Sequence, residues 1–226
     1  MIFIDPGHGG SEIGKASNIY FLEKDKLLQI SRYQYNRLIS LGLDVFITRE
    51  NDELLLPNAR ISKINKLSTA NDILISNHLD INNNTGGLIV YSNRSDNKLV
   101  NILQEELKII NSKQLTNHNN LDFYYILREV IPNNSLIIFY GNTSSTDNLK
   151  NLLENWIDLS EKVIISLCKY LNKPYYKPKE KLYIIKKNDS LESISKEFNV
   201  SISSIMKNNN LSNNILFPYG ILKINE

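Results

Sequence analysis

The sequence contains three histidines, and two of them occur in settings that suit metal binding. His8 follows an apolar segment and lies among glycines in PGHGG, and His78 ends another apolar segment in SNHLD. Zinc in a catalytic site takes three protein ligands and leaves one position open for water. A third ligand is therefore required, and Glu23 is the natural candidate because it begins the first predicted helix directly after the His8 loop.

Glu23 also has an ordinary explanation, since the dipole and the free N–H groups favour carboxylates in the first turn of a helix. His118 lies in the polar segment TNHNN and is predicted to be a surface residue. Asp5 precedes a proline, where it could orient His8 from behind the metal or simply stabilise a turn. The glycines around His8 would let a metal and a ligand approach the backbone closely.

Hydrophobic patterning predicts strands that alternate with helices. The predicted strands are MIFID, LDVFITR, DILISNHLD, LIVYS, FYYILR and SLIIFYG, and the predicted helices begin at EKDKLL, ARISKI, NKLVNI and NLKNLL. Such alternation is typical of an α/β fold, with a mostly parallel sheet flanked by helices. Sites in these folds gather at the carboxyl ends of strands, which is where His8 and His78 both fall.

A second, smaller module is predicted after a linker. Residues 173–181 carry two prolines and four lysines, which is typical of a stiff and exposed connection. The pattern then restarts as a strand, two short helices and a strand within about 45 residues, a separate small module. The sequence therefore predicts a first domain over residues 1–172, a linker over 173–181 and a βααβ module over 182–226.

Composition excludes several classes of protein. A net charge of +2, a pI of ≈ 8.4 and the lack of a dense Lys/Arg stripe argue against nucleic-acid binding. No run approaches ~18 consecutive apolar residues, so we expect no membrane span. The single cysteine, Cys168, is expected to be a buried thiol.

No secretory signal precedes the first strand, so we expect the protein to be made in the cytoplasm. If its substrate lies outside the membrane, we expect another component to release the protein.

A set of short motifs occurs in a fixed order along the first domain: IDPGHGG, Gly14, EKD (23–25), ITR (47–49), Arg60, SNHLD (76–80) and Gly87. From about Met1 to Leu171, this ordered set resembles the zinc-dependent N-acetylmuramoyl-L-alanine amidases. Those cell-wall hydrolases cleave between the lactyl group of muramic acid and the first alanine of the stem peptide. The resemblance implies that His8, Glu23 and His78 are the zinc ligands.

The resemblance also reveals a departure. Family members carry a late glutamate, in an apolar-apolar-Glu-x-Gly pattern, that serves as general base and then as general acid. The matching stretch here is SLIIFYGNTSSTD, and the glutamate position falls on Phe139. Losing a general base commonly costs ~10² to 10⁴ in rate. The departure therefore concerns catalysis rather than fold.

Several explanations stay open at this stage. Another group could replace the glutamate: Glu129 is nearest in sequence to the expected strand, Asp80 follows His78 by two residues, and Tyr140 adjoins Phe139. Alternatively, the chain could be a catalytically impaired pseudo-amidase that acts as a cell-wall-binding protein. A third possibility is that the fold is shared while the substrate differs, because fold alone does not determine function.

The C-terminal module contains YIIKKNDSL, SISKEFNVSISSIMKNNNL and FPYGILKI between Tyr183 and Ile224. These pieces resemble a LysM domain, a small βααβ unit that binds glycans containing N-acetylglucosamine. The resemblance implies a glycan groove near five residues: Asp189, Ser190, Leu191, Asn209 and Leu211. The alternative is that these residues only cap and pack the module.

Together, the two resemblances predict a peptidoglycan amidase of endolysin or autolysin type, with zinc (Zn2+) as cofactor and a LysM anchor. A tethered glycan binder would raise the effective concentration of the first domain at an insoluble substrate. The expected partner is peptidoglycan, both as muropeptide and as glycan. A holin-like pore would supply the release that a protein without an export signal needs before it acts at the cell wall.

Overall fold

The computed structural model describes residues 1–18, 21–79, 87–109, 111–141 and 146–225. It divides into two compact units. The first comprises Met1–Leu152 with Trp156–Tyr175, and the second comprises Leu153–Asn155 with Tyr176–Glu226. The main division thus lies inside the segment expected to be a linker, while the domain boundaries derived from the sequence stay a prediction.

The described residues contain ten strands and seven helices. The strands are β1 (Ile2–Pro6), β2 (Ala16–Asn18), β3 (Phe21–Leu22), β4 (Val45–Ile47), β5 (Ile73–His78), β6 (Leu88–Tyr91), β7 (Ser112–Lys113), β8 (Asn134–Phe139), β9 (Leu182–Ile184) and β10 (Ile221–Lys223). The helices are α1 (Glu23–Ser40), α2 (Pro57–Asn65), α3 (Asn97–Leu107), α4 (Tyr125–Arg128), α5 (Thr146–Tyr170), α6 (Leu191–Phe198) and α7 (Ile202–Asn208). None of the helices among these residues is long and apolar enough to cross a membrane.

The first unit is built on a six-stranded sheet with the order β4-β1-β5-β8-β6-β7. Every neighbouring pair is parallel except β6 and β8, which run antiparallel. The central strands β1, β5 and β8 are buried almost throughout, which is why their sequences are continuous apolar runs rather than alternating ones. The prediction of an α/β fold with a mostly parallel sheet flanked by helices is confirmed.

Helix α1 shows how the apolar spacing of the sequence becomes packing. Leu27, Ile30 and Leu38 recur at helical intervals and are at most 1% exposed. Gly42 follows the last turn with a φ of 76°, a left-handed conformation that glycine adopts without strain and that commonly ends a helix. The N-terminus of the same helix carries Glu23, so the burial of α1 positions one of the candidate ligands.

One predicted strand is wrong. The segment FYYILR contains a single helical turn, α4, at Tyr125–Arg128. A short apolar run does not distinguish a strand from a buried helical turn by periodicity alone. The Arg128 guanidinium reinforces the turn by donating hydrogen bonds to the carbonyls of Asp122 and Phe123.

The second unit has the predicted βααβ order. Strands β9 and β10 pair antiparallel, and α6 and α7 lie between them in sequence. Its core contains Leu191, Ile194 and Ile205, which are fully buried, together with Leu222. Helix α6 begins with a capping box formed by Ser190 and Ser193, a reciprocal pair that satisfies two free N–H groups.

A buried ion pair ties β1 to α2. Arg60 donates a hydrogen bond to the carboxylate of Asp5, and both side chains are at most 3% exposed. Thr48 and Ser76 donate to the same carboxylate. Burial alone would raise the pKa of Asp5, but the charge of Arg60 and these hydrogen bonds hold it below its usual value. The carboxylate is therefore ionised and fully partnered.

Removal of Arg60 should destabilise the first unit strongly, because it leaves the Asp5 carboxylate buried and unpaired. We expect Arg60→Ala to lower the free energy of unfolding by about 3–5 kcal/mol. Urea unfolding followed by the fluorescence of Trp156 measures this unit, since Trp156 is the single tryptophan and is buried there. The control is Lys66→Ala, an exposed cation at the end of the same helix, which should change stability by less than about 0.5 kcal/mol. Equal effects would contradict the role of the pair.

Candidate metal centre

The structure brings His8, Glu23 and His78 together at the carboxyl end of the sheet. One possible ligand atom from each lies within 4.8 Å of the others. The Glu23 Oε1 atom is 3.3 Å from His8 Nε2 and 3.8 Å from His78 Nδ1. Among the described residues, this is the one group of three or more His, Cys, Asp or Glu side chains that could hold a metal ion.

Three separate elements deliver these side chains. His8 follows β1 and has a φ of 58°, a left-handed conformation that is rare outside glycine and that often marks a functional site. His78 is the last residue of β5, the parallel neighbour of β1. Glu23 is the first residue of α1. The loop after β1 stays against β5 because the Gly7 N–H donates to the carbonyl of Asn77 at 3.0 Å.

Two glycines allow this close packing. A Cβ at Gly7 would lie 2.4 Å from the imidazole of His78. A Cβ at Gly14 would lie 2.6 Å from Glu23 Oε2 and 2.8 Å from His8 Cδ2, and Gly14 also has a φ of 66°. Any side chain at these positions would displace the candidate ligands, so glycine is required on both sides of the cluster.

The electrostatics of the cluster favour the protonation states of metal ligands. Burial alone would raise the pKa of Glu23, but the hydrogen bond and charge of His8 and the N–H groups of Lys15 and Leu79 hold it below its usual value. Burial, with the charge of His8, lowers the pKa of His78 to about 4. The carboxylate is therefore ionised and the His78 imidazole is neutral near pH 7, as a metal ligand must be.

This donor set fits zinc. Ligand atoms about 2.0–2.1 Å from a tetrahedral zinc lie about 3.3–3.4 Å from one another, and the distances of 3.3 and 3.8 Å from Glu23 Oε1 approach that spacing. The side chains of His8 and His78 remain 29% and 23% exposed, whereas Glu23 is 2% exposed. Two of the three candidate ligands are thus accessible to solvent. Zinc binding by the three residues stays a prediction.

Two buried arginines hold the backbone of the ligand loop. Arg60 donates to the carbonyl of His8 at 3.0 Å, and Arg49 donates to the carbonyl of Gly7 at 2.8 Å. Asp5 binds Arg60, Thr48 and Ser76 rather than the His8 ring. Asp5 is therefore linked to the backbone of His8 through Arg60, and an orienting role for Asp5 stays a prediction.

A cavity of about 520 Å³ opens beside the cluster. Its polar lining includes Glu12, Lys15 and Arg60, and its apolar lining includes Tyr124 and Phe139. A volume of this size is typical of small-molecule sites. The sequence motifs indicated neither Glu12 nor the tyrosines of this lining. Spacing offered no signal for them, although Glu12 does lie between the two glycine-containing turns that flank the cluster.

Glu12 is held in place by its backbone. Its N–H donates to the carbonyl of Gly9 at 3.0 Å, and its own carbonyl accepts from the Gly9 N–H at 2.9 Å. Its charge acts on Arg60 and on the hydroxyl of Tyr125, which line the same cavity. Asp5 and Glu23, the other two carboxylates in the lining, are already engaged in the contacts given above. Glu12 is therefore the carboxylate of this lining that remains exposed.

Of the residues considered as replacements for the missing glutamate, Glu129 and Tyr140 do not line the cavity. Phe139 itself adjoins the cluster, since the strand register pairs it with His78 and their ring centroids are 5.7 Å apart. Glu129 is an exposed residue at the end of α4, paired with Arg128 at 2.9 Å, and it is not part of the cavity lining. Tyr140 is 7% exposed and its hydroxyl donates to Asn77. Asp80 lies outside the described residues.

In the second unit, the residues proposed for glycan binding make internal contacts. Asp189 accepts from the Tyr183 hydroxyl at 2.7 Å and Ser190 caps α6. Leu191 is fully buried, Asn209 accepts from the Lys223 N–H, and Leu211 packs against the core. Glycan binding by these residues stays a prediction, and the structure shows that they also cap and pack the module.

Comparison with known proteins identifies both units. Residues 2–172 match the N-acetylmuramoyl-L-alanine amidase family. The chain belongs to this family. Residues 183–225 match the LysM domain, so the amidase-family unit is followed by a LysM unit, as the sequence motifs predicted.

Individual relatives cover the chain only in part. AmiC of Neisseria meningitidis is 36% identical over 80 residues, which is 35% of this chain and 19% of that protein. The probable cell wall amidase LytH of Staphylococcus aureus is 38% identical over 93 residues, which is 40% of this chain and 30% of that protein. The chain thus spans less than a third of the length of these relatives.

Solved structures share the fold of the first unit. The amidase AmiC2 of Nostoc punctiforme superposes with a TM-score of 0.62 at 21% identity, covering 76% of this chain and 97% of that one. An amidase from Clostridium difficile 630 gives a TM-score of 0.63 at 24% identity, covering 76% and 96%. At these identities the likeness concerns the fold alone.

A methyl group at position 14 should weaken metal binding, because it would push Glu23 and His8 apart. We expect Gly14→Ala to lower zinc affinity by about 10- to 100-fold, measured by competition with a chromogenic chelator. Gly42→Ala is the matched control, since Gly42 also has a positive φ but has nothing within 4 Å of the place that a Cβ would occupy. Both variants carry the same kind of backbone strain. An equal zinc affinity in the two variants would show that the cluster tolerates crowding.

Proposed function

We propose that this protein is a zinc-dependent peptidoglycan hydrolase that cleaves the amide bond between N-acetylmuramic acid and L-alanine. The observation that supports it most is the cluster of His8, Glu23 and His78 at an open cavity, in a chain of the amidase family. A zinc ion held by these residues would polarise the scissile carbonyl and lower the pKa of a bound water. Arg49 and Arg60 would keep the ligand loop rigid during the reaction.

Amide hydrolysis also needs a group that accepts a proton from the attacking water and returns it to the leaving amine. Glu12 is proposed for this task. Glu12 is an exposed residue of the cavity lining, and it lies on a loop whose next glycine, Gly14, packs against two of the candidate ligands. Phe139 occupies the position that the family resemblance assigns to the catalytic glutamate, so this proposal places the proton acceptor on the ligand loop instead.

The LysM unit is proposed to hold the enzyme on wall glycan. This unit exposes two large apolar side chains between α7 and β10, Ile215 at 63% and Phe217 at 74%. Exposed apolar groups of this size suit a ligand with apolar faces. Attachment to the wall would raise the concentration of the first unit near its substrate without any new contact at the metal.

A second candidate is a wall-binding protein without catalysis. Phe139 favours it, because the ring lies 5.7 Å from the ring of His78 and is only 6% exposed. An apolar ring at this place supplies no proton acceptor. The two candidates differ in one observable, which is the release of alanine amino groups from peptidoglycan.

The amidase proposal predicts a specific product. Purified walls treated with the zinc-loaded protein should gain free amino groups on alanine and no new reducing sugar ends, because an amide and not a glycosidic bond is cleaved. A chelator should abolish the release and added zinc should restore it. His8→Ala should be inactive, whereas the control His118→Ala, which changes an exposed histidine, should keep full activity.

Binding to walls without any alanine release would reject the amidase proposal and support the second candidate. In that case Phe139→Glu supplies the carboxylate beside His78. A gain of alanine release in this variant would identify Phe139 as the reason for inactivity.

Glu12→Gln tests the proton acceptor. We expect alanine release to fall by about 10² to 10⁴, because the amide cannot accept the proton, while zinc affinity stays at the value of the unaltered protein. Glu129→Gln is the control, and it should leave both quantities unchanged since that side chain does not line the cavity. Full activity in Glu12→Gln would remove Glu12 from the mechanism, and a loss of zinc would mean that it supports the metal instead.

A further inference from the structure

A row of aromatic rings leads from the metal cluster to the surface. It starts at His78, whose ring centroid lies 5.7 Å from that of Phe139. Phe139 is followed by Tyr124 at 6.1 Å, and Tyr124 by Phe123 at 5.2 Å in an edge-on arrangement. We call Phe139, Tyr124 and Phe123 the aromatic strip. Its three rings form one continuous apolar path, because each centroid is within 4.5–7 Å of the next.

Burial changes along the strip. Phe139 is 6% exposed, Tyr124 is half-buried, and Phe123 is 57% exposed. The inner two residues line the cavity beside the cluster. The strip therefore begins beside the candidate metal ligand His78 and ends at an exposed ring, so a molecule bound at the cluster could extend along it.

Another part of the lining carries charged side chains. The loop between His8 and α1 contributes Glu12 and Lys15, which are exposed and carry opposite charges. The lining thus combines aromatic side chains, from β8 and the start of α4, with charged side chains, from the ligand loop. Such a cavity suits a ligand with an apolar face at one end and charged or hydrogen-bonding groups at the other.

A sugar joined to a peptide is a ligand of this kind. A pyranose ring presents C–H groups on its faces, and these pack on aromatic rings, while its hydroxyls point outward to water. A peptide presents amides and carboxylates, which need polar partners when they leave water. The two halves of a muramoyl peptide therefore match the two kinds of side chain in the lining.

We propose that the aromatic strip is the subsite for the saccharide, with the muramoyl ring packed on Tyr124 and Phe123 and the stem peptide directed along the loop of Glu12 and Lys15. The inference rests on the proposed function for its substrate class. It specifies in which direction the substrate lies across the site, and it predicts that the sugar contributes to binding affinity. The amide that joins the two halves then lies at His8, Glu23 and His78.

Binding of an uncleavable ligand tests the subsite on the full zinc-loaded chain. The probe is a muramoyl dipeptide whose first amide nitrogen is methylated, and the companion ligand is the same methylated dipeptide carrying a lactyl group without the sugar. We expect Phe123→Ala and Tyr124→Ala each to lower the affinity for the muramoyl probe by about two- to tenfold, as measured by calorimetric titration. The sugar-free ligand should bind all variants equally.

Two controls separate stacking from structure. Tyr124→Phe keeps the ring and should keep the affinity. Ile131→Ala removes an exposed apolar side chain of the same unit that is 41% exposed and outside the strip, and it should have no effect. Any binding of the probe by the LysM unit is the same in every variant, because all of the changes lie in the first unit.

The outcomes for the strip and for the amidase proposal are independent. Two results would overturn the saccharide subsite even if the protein is an active amidase. In the first, the Phe123→Ala and Tyr124→Ala variants bind the muramoyl probe as tightly as the unaltered protein does. In the second, these variants lose affinity for the muramoyl probe and for the sugar-free ligand equally. Sugar-dependent binding that needs the strip, in a protein that releases no alanine, would reject the amidase proposal and retain the subsite.

Discussion

The arrangement of the candidate metal centre in the first unit depends on the burial of one ionised carboxylate, that of Glu23. Glu23 is 2% exposed, and burial of a charge is costly unless it is paired and hydrogen-bonded. The compensation comes from the N–H groups of Lys15 and Leu79 and from the nearby imidazole of His8. These partners belong to different segments, so satisfying one carboxylate forces the ligand loop, α1 and the end of β5 into a single arrangement.

A second buried carboxylate, that of Asp5, is stabilised in the same way. Its partner Arg60 also binds the carbonyl of His8. The two carboxylates thus support the same loop: Glu23 contacts the His8 imidazole and the Lys15 N–H, and Asp5 acts through Arg60 on the His8 carbonyl. Gly7 and Gly14 leave the space that this packing requires. A preorganised cluster of this kind would lose little freedom when it binds a metal, which is what a hydrolytic site needs.

Aromatic and charged residues line the cavity beside this cluster. Phe139 places an aromatic ring next to His78, and Tyr124 and Phe123 continue it outward. The exposed carboxylate in the lining, Glu12, stands on the ligand loop instead of on β8. The lining of this cavity therefore combines aromatic side chains near His78 with charged side chains from the ligand loop.

The sequence by itself determined the elements whose patterns are local. Helix α1 and strands β1, β5 and β8 follow from apolar spacing and run length, and the ordered motifs indicated the family and the ligand set. Tertiary structure decided whatever depends on distant pairing. Asp5 and Arg60 are 55 residues apart, Phe139 meets His78 only through strand register, and FYYILR forms a helical turn because packing outweighs propensity in so short a segment. Glu12 belongs to no motif in the sequence, and only the folding of its loop beside the cluster makes it a lining residue of the cavity.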